Sequence, residues 1–410
     1  MPQLKLVNRT FISMVNEQIK LKFIKPNRIP KIDFNLPGFQ VQNESRFKRK
    51  LFQQFLTFKQ MQVFIIICTH LKQLMPLYIR WQPLKHRKMR ILTTLISLLP
   101  ILSFSNPTSN ESEDYKKYHE QINKAEKFIS REQFQEALNL YNDVFNSFDF
   151  VFVKDYKIAA QLSLYLNDKK NAFEIIKKGI AGGWDLKSLK RNNYLSKLQN
   201  EPEWKLVKEG YLELRKKYLE RIDDGTREKV NKMFKMDQKK ALGALFRIGD
   251  KAQERYAIKK FAPHSENQLK KFIEILEDQG YPGEQLIGNN FWMSTILSHH
   301  NSITTEYVNK DTLYNFIKPK LIKAIGKGQI SPYEFAMIDD WYIAVSSDRT
   351  RTGYGFLNPP LSSTLTETDK LRQRIGLRTI ELRNKLVDVE KKTGMNFYLP
   401  DWIKGKINVE

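Results

Sequence analysis

"KAEKFISREQFQEALNLYNDVF" (residues 124–145) and "AAQLSLYLNDKKNAFEIIKKGI" (residues 159–180) repeat one pattern of small and apolar residues. At a constant offset of 35 residues, the positions that coincide are Ala125 with Ala160, Ala137 with Ala172 and Tyr141 with Ile176. Small side chains at these points let two antiparallel helices approach closely, and larger apolar side chains three and four residues apart cover the faces that must be buried. The two segments therefore predict two successive helical hairpins.

This pattern resembles the tetratricopeptide repeat family, whose helix-turn-helix unit is about 34 residues long. The resemblance covers about residues 115–183, with two departures: residues 130–132 stand where the first turn usually has glycine, and neither unit ends in proline. Two units leave the ends of an array uncovered, so residues 184–207 are expected to supply capping helices. The family implies a concave surface that binds peptides; a mere spacer is the open alternative.

The stretch "KHRKMRILTTLISLLPILSFSN" (residues 85–106) has the three parts of a secretory signal. A basic cluster precedes Met89, an apolar run of 14 residues follows, and residues 103–105 form a small-x-small cleavage pattern. Because the run is shorter than the roughly 20 residues of a membrane-spanning helix, we expect a signal peptide at 89–105 and no permanent membrane anchor after its cleavage. We predict that Met89 is the true start and that residues 1–88 are a non-native upstream extension.

Most of the net charge of +24 lies in that upstream part. Residues 1–88 hold 17 Lys+Arg against 3 Asp+Glu, whereas residues 106–410 hold 51 against 42. The second balance is modest for a nucleic-acid binder, so nucleic acid is not the expected partner. The alternative is a real basic arm, which would leave the protein cytoplasmic or membrane-associated and direct it to nucleic acid or a membrane surface.

The chain after residue 105 lacks cysteine, because the single cysteine is Cys68. That part of the protein therefore has no means of forming a disulfide, a thiolate zinc site or a cysteine nucleophile. No spacing typical of a cofactor or metal site replaces them, so we expect neither a metal nor a cofactor.

Residues 208–261 are predicted to be connecting helices. Apolar residues at steps of three and four indicate one long helix from Glu203, which the Asp223-Asp224-Gly225 sequence ends. A second, basic helix follows as far as Phe261, and we expect Pro263 to stop it.

Residues 262–400 are predicted to form a helical domain. The capping boxes Ser265-x-x-Gln268 and Ser331-Pro332-x-Glu334 each indicate a helix start, and a long loop is expected at about 347–365. Strand-like alternation is nearly absent. The predicted fold class is therefore mainly α, with helical-hairpin repeats at 106–207 joined to this domain.

Several short motifs of this region occur in an order that resembles a bacterial domain family of unknown function, over about residues 237–377. The motifs are "DQGYPGEQLIG", "TILSHHN", "GQISPYEFAMIDDW", "GYGFLNPPL" and "LRQRIGL". The residues on which the functional-looking positions of that family fall are His299, Asn301, Asp340, Tyr354 and Arg372. This sequence departs from the family at Ser298, Asn301, Trp341 and Phe356, which puts any activity that depends on those positions in doubt.

The residues suited to chemistry each have a structural alternative. His299, at a predicted helix end, is a candidate general base, but a capping role is the favoured interpretation. His299 and His300 point about 100° apart on a helix, so the pair does not share one metal. Asp339 or Asp340 is expected in a buried polar cluster with Arg372, where a structural ion pair is favoured over catalysis.

The loop sequence "SSDRTRTGYGF" (residues 346–356) is a weak candidate for anion binding. Arg349 and Arg351 precede two glycines, an arrangement that could form a backbone nest for an anion. It lacks any Walker or dinucleotide spacing, and a solvated loop is the favoured interpretation.

The leading functional hypothesis is an exported protein of the bacterial envelope, in the periplasm or outside the cell, that binds a protein or peptide through its helical repeats. Catalysis is not favoured. The alternative from another class is a hydrolase-like enzyme in which His299 acts with Asp339 or Asp340 and Tyr354 positions the substrate. That alternative requires these side chains to converge within hydrogen-bond reach of one pocket.

Overall fold

The computed structural model describes residues 114–288, 291–399 and 405–410. Those residues contain 17 α-helices and no strand, so the mainly α prediction is confirmed for the described part of the chain. The basic segment 1–88 and the signal peptide predicted at 89–105 lie outside the described residues.

The two repeated segments form four helices. They are α1 (Asp114–Ile129), α2 (Phe134–Ser147), α3 (Val153–Tyr165) and α4 (Lys169–Gly182). The four aligned alanines are fully buried where α1 packs on α2 and α3 packs on α4. Glu132 and Asn167, 35 residues apart, take the same left-handed turn conformation, with φ of 61° and 62°. The expected glycine is therefore replaced by a residue that adopts the required backbone shape.

The segment after α4 forms several short helices. It contains α5 (Leu186–Lys190), a 3₁₀ helix (Leu195–Asn200), α6 (Glu203–Glu209) and α7 (Tyr211–Arg221). The prediction of one long helix from Glu203 is wrong, because Gly210 separates α6 from α7. Trp204 and Val207 of α6 are buried in the same core as the hairpins.

The next elements form a long hairpin. They are α8 (Asp224–Leu245), α9 (Asp250–Tyr256), a π-helical turn (Ala257–Phe261) and α10 (Ala262–Asp278). Asp223 caps α8, since its side chain accepts the Thr226 N–H. The expected stop at Pro263 is wrong: the proline lies in the first turn of α10, where no N–H is needed. Ser265 therefore lies inside α10 and does not cap it.

Seven further helices complete the described chain. They are α11 (Glu284–Ile287), α12 (Trp292–His300), α13 (Thr305–Lys310), α14 (Leu313–Gly326), α15 (Pro332–Ser346), α16 (Leu365–Arg374) and α17 (Ile380–Thr393). Ser331 caps α15 by accepting the Glu334 N–H at 3.1 Å, as the sequence predicted. Gly394, with φ of 74°, ends α17 in a left-handed cap.

Two hydrophobic cores lie side by side in one compact unit. The first contains residues of α1 to α6, and the second contains residues of α8, α10 to α12 and α14 to α16. The last helix returns to the first core, in which Leu386, Met395 and Phe397 are buried. A buried bidentate pair between Glu126 of α1 and Arg378 also joins the two parts, at 2.5 and 2.6 Å. No helix of the described residues is long and apolar enough to span a bilayer.

Candidate functional site

The loop between α15 and α16 wraps around the carboxylate of Asp340. Asp340 Oδ1 accepts the Tyr354 N–H at 2.8 Å, and Oδ2 accepts the N–H groups of Phe356 and Leu357 at 2.9 and 3.0 Å. Burial raises the pKa of this carboxyl, and the three backbone donors oppose that rise. Gly353 lies so close to Asp340 that an added Cβ would overlap Oδ1. The N–H groups of the loop therefore converge on a carboxyl group that belongs to the protein itself.

Asp339, the neighbouring carboxylate, faces a different set of partners. Its oxygens accept the hydroxyls of Tyr314 at 2.9 Å and Tyr354 at 3.2 Å, and the Lys318 ammonium lies 2.9 Å away. Burial, and then the charge of Asp339, raise the pKa of both phenols, so they remain protonated donors. Both aspartates are buried, and each oxygen has a partner.

Asn301 and Arg372 reach the same region through backbone groups. Asn301 Nδ2 donates to the Ile338 carbonyl at 3.0 Å, which ties α12 to α15. Arg372 Nη1 donates to the Tyr354 carbonyl at 2.6 Å, and its Nε donates to the Arg378 carbonyl at 2.7 Å. Asn301, Tyr354, Arg372 and the two aspartates thus form one polar network that supports the loop, which we call the loop network.

Arg349 and Arg351 do not take part in the loop network. The Arg349 guanidinium lies 5.9 Å from the ring centroid of Trp341, and Arg351 is exposed. The backbone N–H groups that bind the carboxylate come from residues 354–357, after both arginines. The N–H groups that form a nest therefore lie after the two arginines, and they already bind the Asp340 carboxyl group.

His299 lies apart from the two aspartates. Its Nδ1 is 2.6 Å from Oδ2 of Asp237, a buried residue of α8, and 31% of its side chain is exposed. The Phe261 ring meets the imidazole edge-on at 6.3 Å between centroids. A buried carboxylate that orients a half-exposed imidazole is an arrangement capable of proton transfer. The sequence separates Asp237 and His299 by 62 residues, so no local pattern could have joined them.

His300 points to different partners, as the 100° spacing requires. Its Nδ1 is 2.9 Å from Ser265 Oγ, and its Nε2 is 3.2 Å from Asp311 Oδ2. Serine, histidine and aspartate thus lie in a row, but all three are buried and out of reach of a substrate. Within the described ranges, no group of three or more histidine, cysteine, aspartate or glutamate side chains could hold a metal ion.

A polar cavity of about 550 Å³ lies between residues 185–194 and the segment after α17. Its polar and aromatic lining includes Asp185, Lys187, Arg191, Asn193, Tyr194 and Tyr398. Beside it, the buried amide of Gln161 binds the backbone of Asn396: Nε2 donates to the carbonyl at 2.8 Å, and Oε1 accepts the N–H at 2.9 Å. Sequence reasoning missed this site, because a glutamine inside a helix carries no local signal of its partner.

Comparison with protein families, characterised proteins and solved structures found no significant match to this chain. What is established is a region of many packed helices, with no family or repeat assignment. The loop network is buried and the oxygens of its two aspartates all have partners, whereas the polar cavity and His299 are accessible to solvent. A ligand can therefore reach the cavity or His299 without disturbing either core.

Proposed function

We propose that the protein is exported to the bacterial envelope and binds a protein or peptide partner through a tetratricopeptide-like module formed by α1 to α4 and the segment 184–207 that follows them. The matching buried alanines of the two hairpins support the repeat. The identical turn conformation of Glu132 and Asn167 supports it independently. Such modules offer a surface on which an extended chain can lie.

The observation that carries this proposal is the contact between α3 and Asn396. The Gln161 side chain satisfies the donor and the acceptor of one backbone residue in a non-helical segment. An amide that pairs with backbone groups accepts many side-chain sequences. Of the two residues that follow Asn396, Phe397 is buried, and the Tyr398 ring centroid lies 5.0 Å from Lys157 Nζ. Gln161 is thus already engaged by the protein's own chain, and a partner peptide would lie beside this segment, in the polar cavity that Asn396 lines.

The polar cavity supplies room for such a partner beside this contact. Its lining offers charged groups of both signs, amides and two tyrosines, which suits the many hydrogen-bonding groups of an extended peptide. An apolar helix would leave these lining groups without partners. A peptide segment that carries both polar groups and an aromatic or apolar anchor is the partner we expect.

Selection from a random peptide library tests the proposal directly. We expect wild-type protein to enrich peptides with a shared motif, and the double variant Arg191→Glu, Tyr194→Ala to bind them about tenfold or more weakly. Lys178→Glu, an exposed charge reversal on α4, is the matched control and should bind as wild type does. Absence of a shared motif, or equal binding by the double variant, would contradict a peptide site in this cavity.

The proposed export requires that the mature chain begin near Asn106. Mass spectrometry of the N-terminus of protein isolated from its native cells measures this directly. A mature start at Met1 would overturn export and would make the basic segment 1–88 a real arm. In that case, loss of nucleic-acid or vesicle binding on truncation to Met89, with a steep salt dependence, would identify the arm's target.

The contact between His299 and Asp237 favours a second candidate function, that of a hydrolase-like enzyme. It differs from the sequence-based alternative in its carboxylate, since His299 pairs with Asp237 in place of Asp339 or Asp340. Hydrolysis of p-nitrophenyl acetate by wild type, by His299→Gln and by Asp237→Asn provides a test. Turnover that both variants lose while keeping wild-type circular dichroism supports catalysis; equal rates in all three proteins exclude a role for the pair in that reaction.

A further inference from the structure

The turn between α8 and α9 carries exposed apolar side chains at the end of a helical hairpin. Phe246 is 77% exposed and Ile248 is 85% exposed. Met236 on α8 and Ile258 in the π-helical turn are also exposed, at 52% and 45%. Large apolar side chains exposed together to water are unfavourable, and such groups commonly mark an interaction surface.

Specific contacts hold the two helices of the hairpin together. Tyr256 of α9 donates its hydroxyl to the Lys240 carbonyl of α8 at 2.9 Å, and its ring lies where any Cβ on Gly243 would be. The Arg247 guanidinium lies 5.2 Å from the Tyr256 ring centroid, and Gln253 Nε2 donates to the Arg247 carbonyl at 3.1 Å. The turn is therefore presented at a defined position, with Phe246 and Ile248 at its end.

The same hairpin carries a dense positive charge. Residues 235–260 hold eight Lys+Arg against three Asp+Glu, and one of the acids, Asp237, is buried. Their net charge of +5 is more than half of the +9 of residues 106–410. The eight exposed basic residues are Lys235, Lys239, Lys240, Arg247, Lys251, Arg255, Lys259 and Lys260. In the described part of the chain, none of them forms an ion pair.

The basic and apolar side chains share faces of the two helices. On α8, Lys235, Lys239 and Phe246 follow one another at intervals of four and seven residues, which places them on one side. After the turn, Lys251, Arg255 and Ile258 follow at intervals of four and three. Each helix thus carries cations along its side.

We propose that this hairpin docks on the surface of a membrane that contains anionic phospholipid. Phe246 and Ile248 enter the interfacial layer, and the surrounding lysines and arginines contact lipid phosphates. A nucleic acid would complement the cations but would leave the aliphatic Ile248 in water, and a second copy of the hairpin would bring like charges together. The docking is independent of the peptide site, because it uses none of the residues that line the polar cavity.

Cosedimentation of the full chain with lipid vesicles tests the proposal. We expect binding to phosphatidylcholine vesicles that contain phosphatidylglycerol, weaker binding as salt rises, and little binding to phosphatidylcholine alone. Phe246→Ser and Ile248→Ser should each lower the partition coefficient about tenfold, because each removes one buried apolar side chain. Leu212→Ser is the matched control, since Leu212 is 76% exposed on α7 outside the hairpin.

A second measurement separates the hairpin from any other basic part of the chain. In Phe246→Trp, vesicles with brominated phosphatidylglycerol should quench tryptophan fluorescence more than they do in wild type. Equal quenching, or vesicle binding that both serine variants retain in full, overturns the proposal. Binding to duplex DNA that needs the lysines but neither Phe246 nor Ile248 also overturns it, in favour of nucleic acid. A concentration-dependent dimer that Phe246→Ser abolishes would overturn membrane docking in favour of self-association.

Discussion

Removal of the Asp340 carboxylate should release the loop between α15 and α16. In Asp340→Ala, three backbone N–H groups that now donate at 2.8 to 3.0 Å lose their acceptor. Each hydrogen bond to a charged acceptor contributes roughly 1.5–3 kcal/mol, but burial raises the pKa of Asp340 and so offsets part of the gain. We therefore expect the free energy of unfolding to fall by about 3 kcal/mol, well below the sum of three bonds.

Urea denaturation measures that loss, and limited trypsin digestion locates it. Arg349 and Arg351 are exposed in the loop, so cleavage there should accelerate by about tenfold or more in Asp340→Ala. Gly353→Ala should behave similarly, because its Cβ would displace the carboxylate. Glu367→Ala, an exposed carboxylate on α16, is the control and should change stability by less than about 0.5 kcal/mol. A loss below about 0.5 kcal/mol with unchanged digestion in Asp340→Ala would refute the reasoning.

Three further expectations concern buried charges. Arg378→Met should lower the free energy of unfolding, measured in urea, by about 3–5 kcal/mol, because it leaves the Glu126 carboxylate buried without its bidentate partner. Adding Glu126→Gln to the same chain should restore stability and so confirm the cause. An unchanged urea midpoint in Arg378→Met would contradict it. Burial lowers the pKa of His119 from 6.5 to about 3, so the stability that the neutral imidazole provides is complete above about pH 6.5 and is lost as pH falls towards 3. His119→Phe should therefore remove up to about 1.4 kcal/mol per pH unit from the slope of unfolding free energy against pH in this range. An unaltered slope would show that His119 titrates normally. Burial raises the pKa of Glu284 from 4.5 to about 7, so the stability that the protonated carboxyl provides is complete below about pH 4.5 and is lost as pH rises to 7. In thermal melts, the melting temperature of Glu284→Gln should rise relative to wild type above pH 7 but not below pH 4.5. An equal rise at both pH values would contradict this.

The helical character of the chain could be predicted because its signals act within a few residues. Ser331 caps α15 through a hydrogen bond to a residue three positions away, and the buried alanines recur at a spacing that the sequence displays directly. The same local reasoning was wrong at Pro263 and Ser265, because the π-helical turn carries the chain from α9 into α10. A proline indicates a missing donor, but whether a helix begins or ends there depends on what precedes it.

The candidate site was predictable in part. The sequence selected Asn301, Tyr354, Arg372 and the two aspartates, which the structure brings into one network. It did not indicate that the oxygens of both aspartates would all be hydrogen-bonded within the protein. The backbone conformation of the loop decides that, since three N–H groups converge on one carboxylate only after residues 353–357 fold around it.

By itself, the sequence determined the helix periodicity, the hairpin pattern and the position of the long loop, because these depend on contacts between near neighbours. Only the tertiary structure decided that His299 pairs with Asp237 and that Glu126 pairs with Arg378, 252 residues away. It also brought Asn396 back to Gln161 of α3, across 235 residues. These pairs form only when whole helices pack, within each core or between the two, and packing at that distance is set by the shape of whole helices, which no short window of sequence contains.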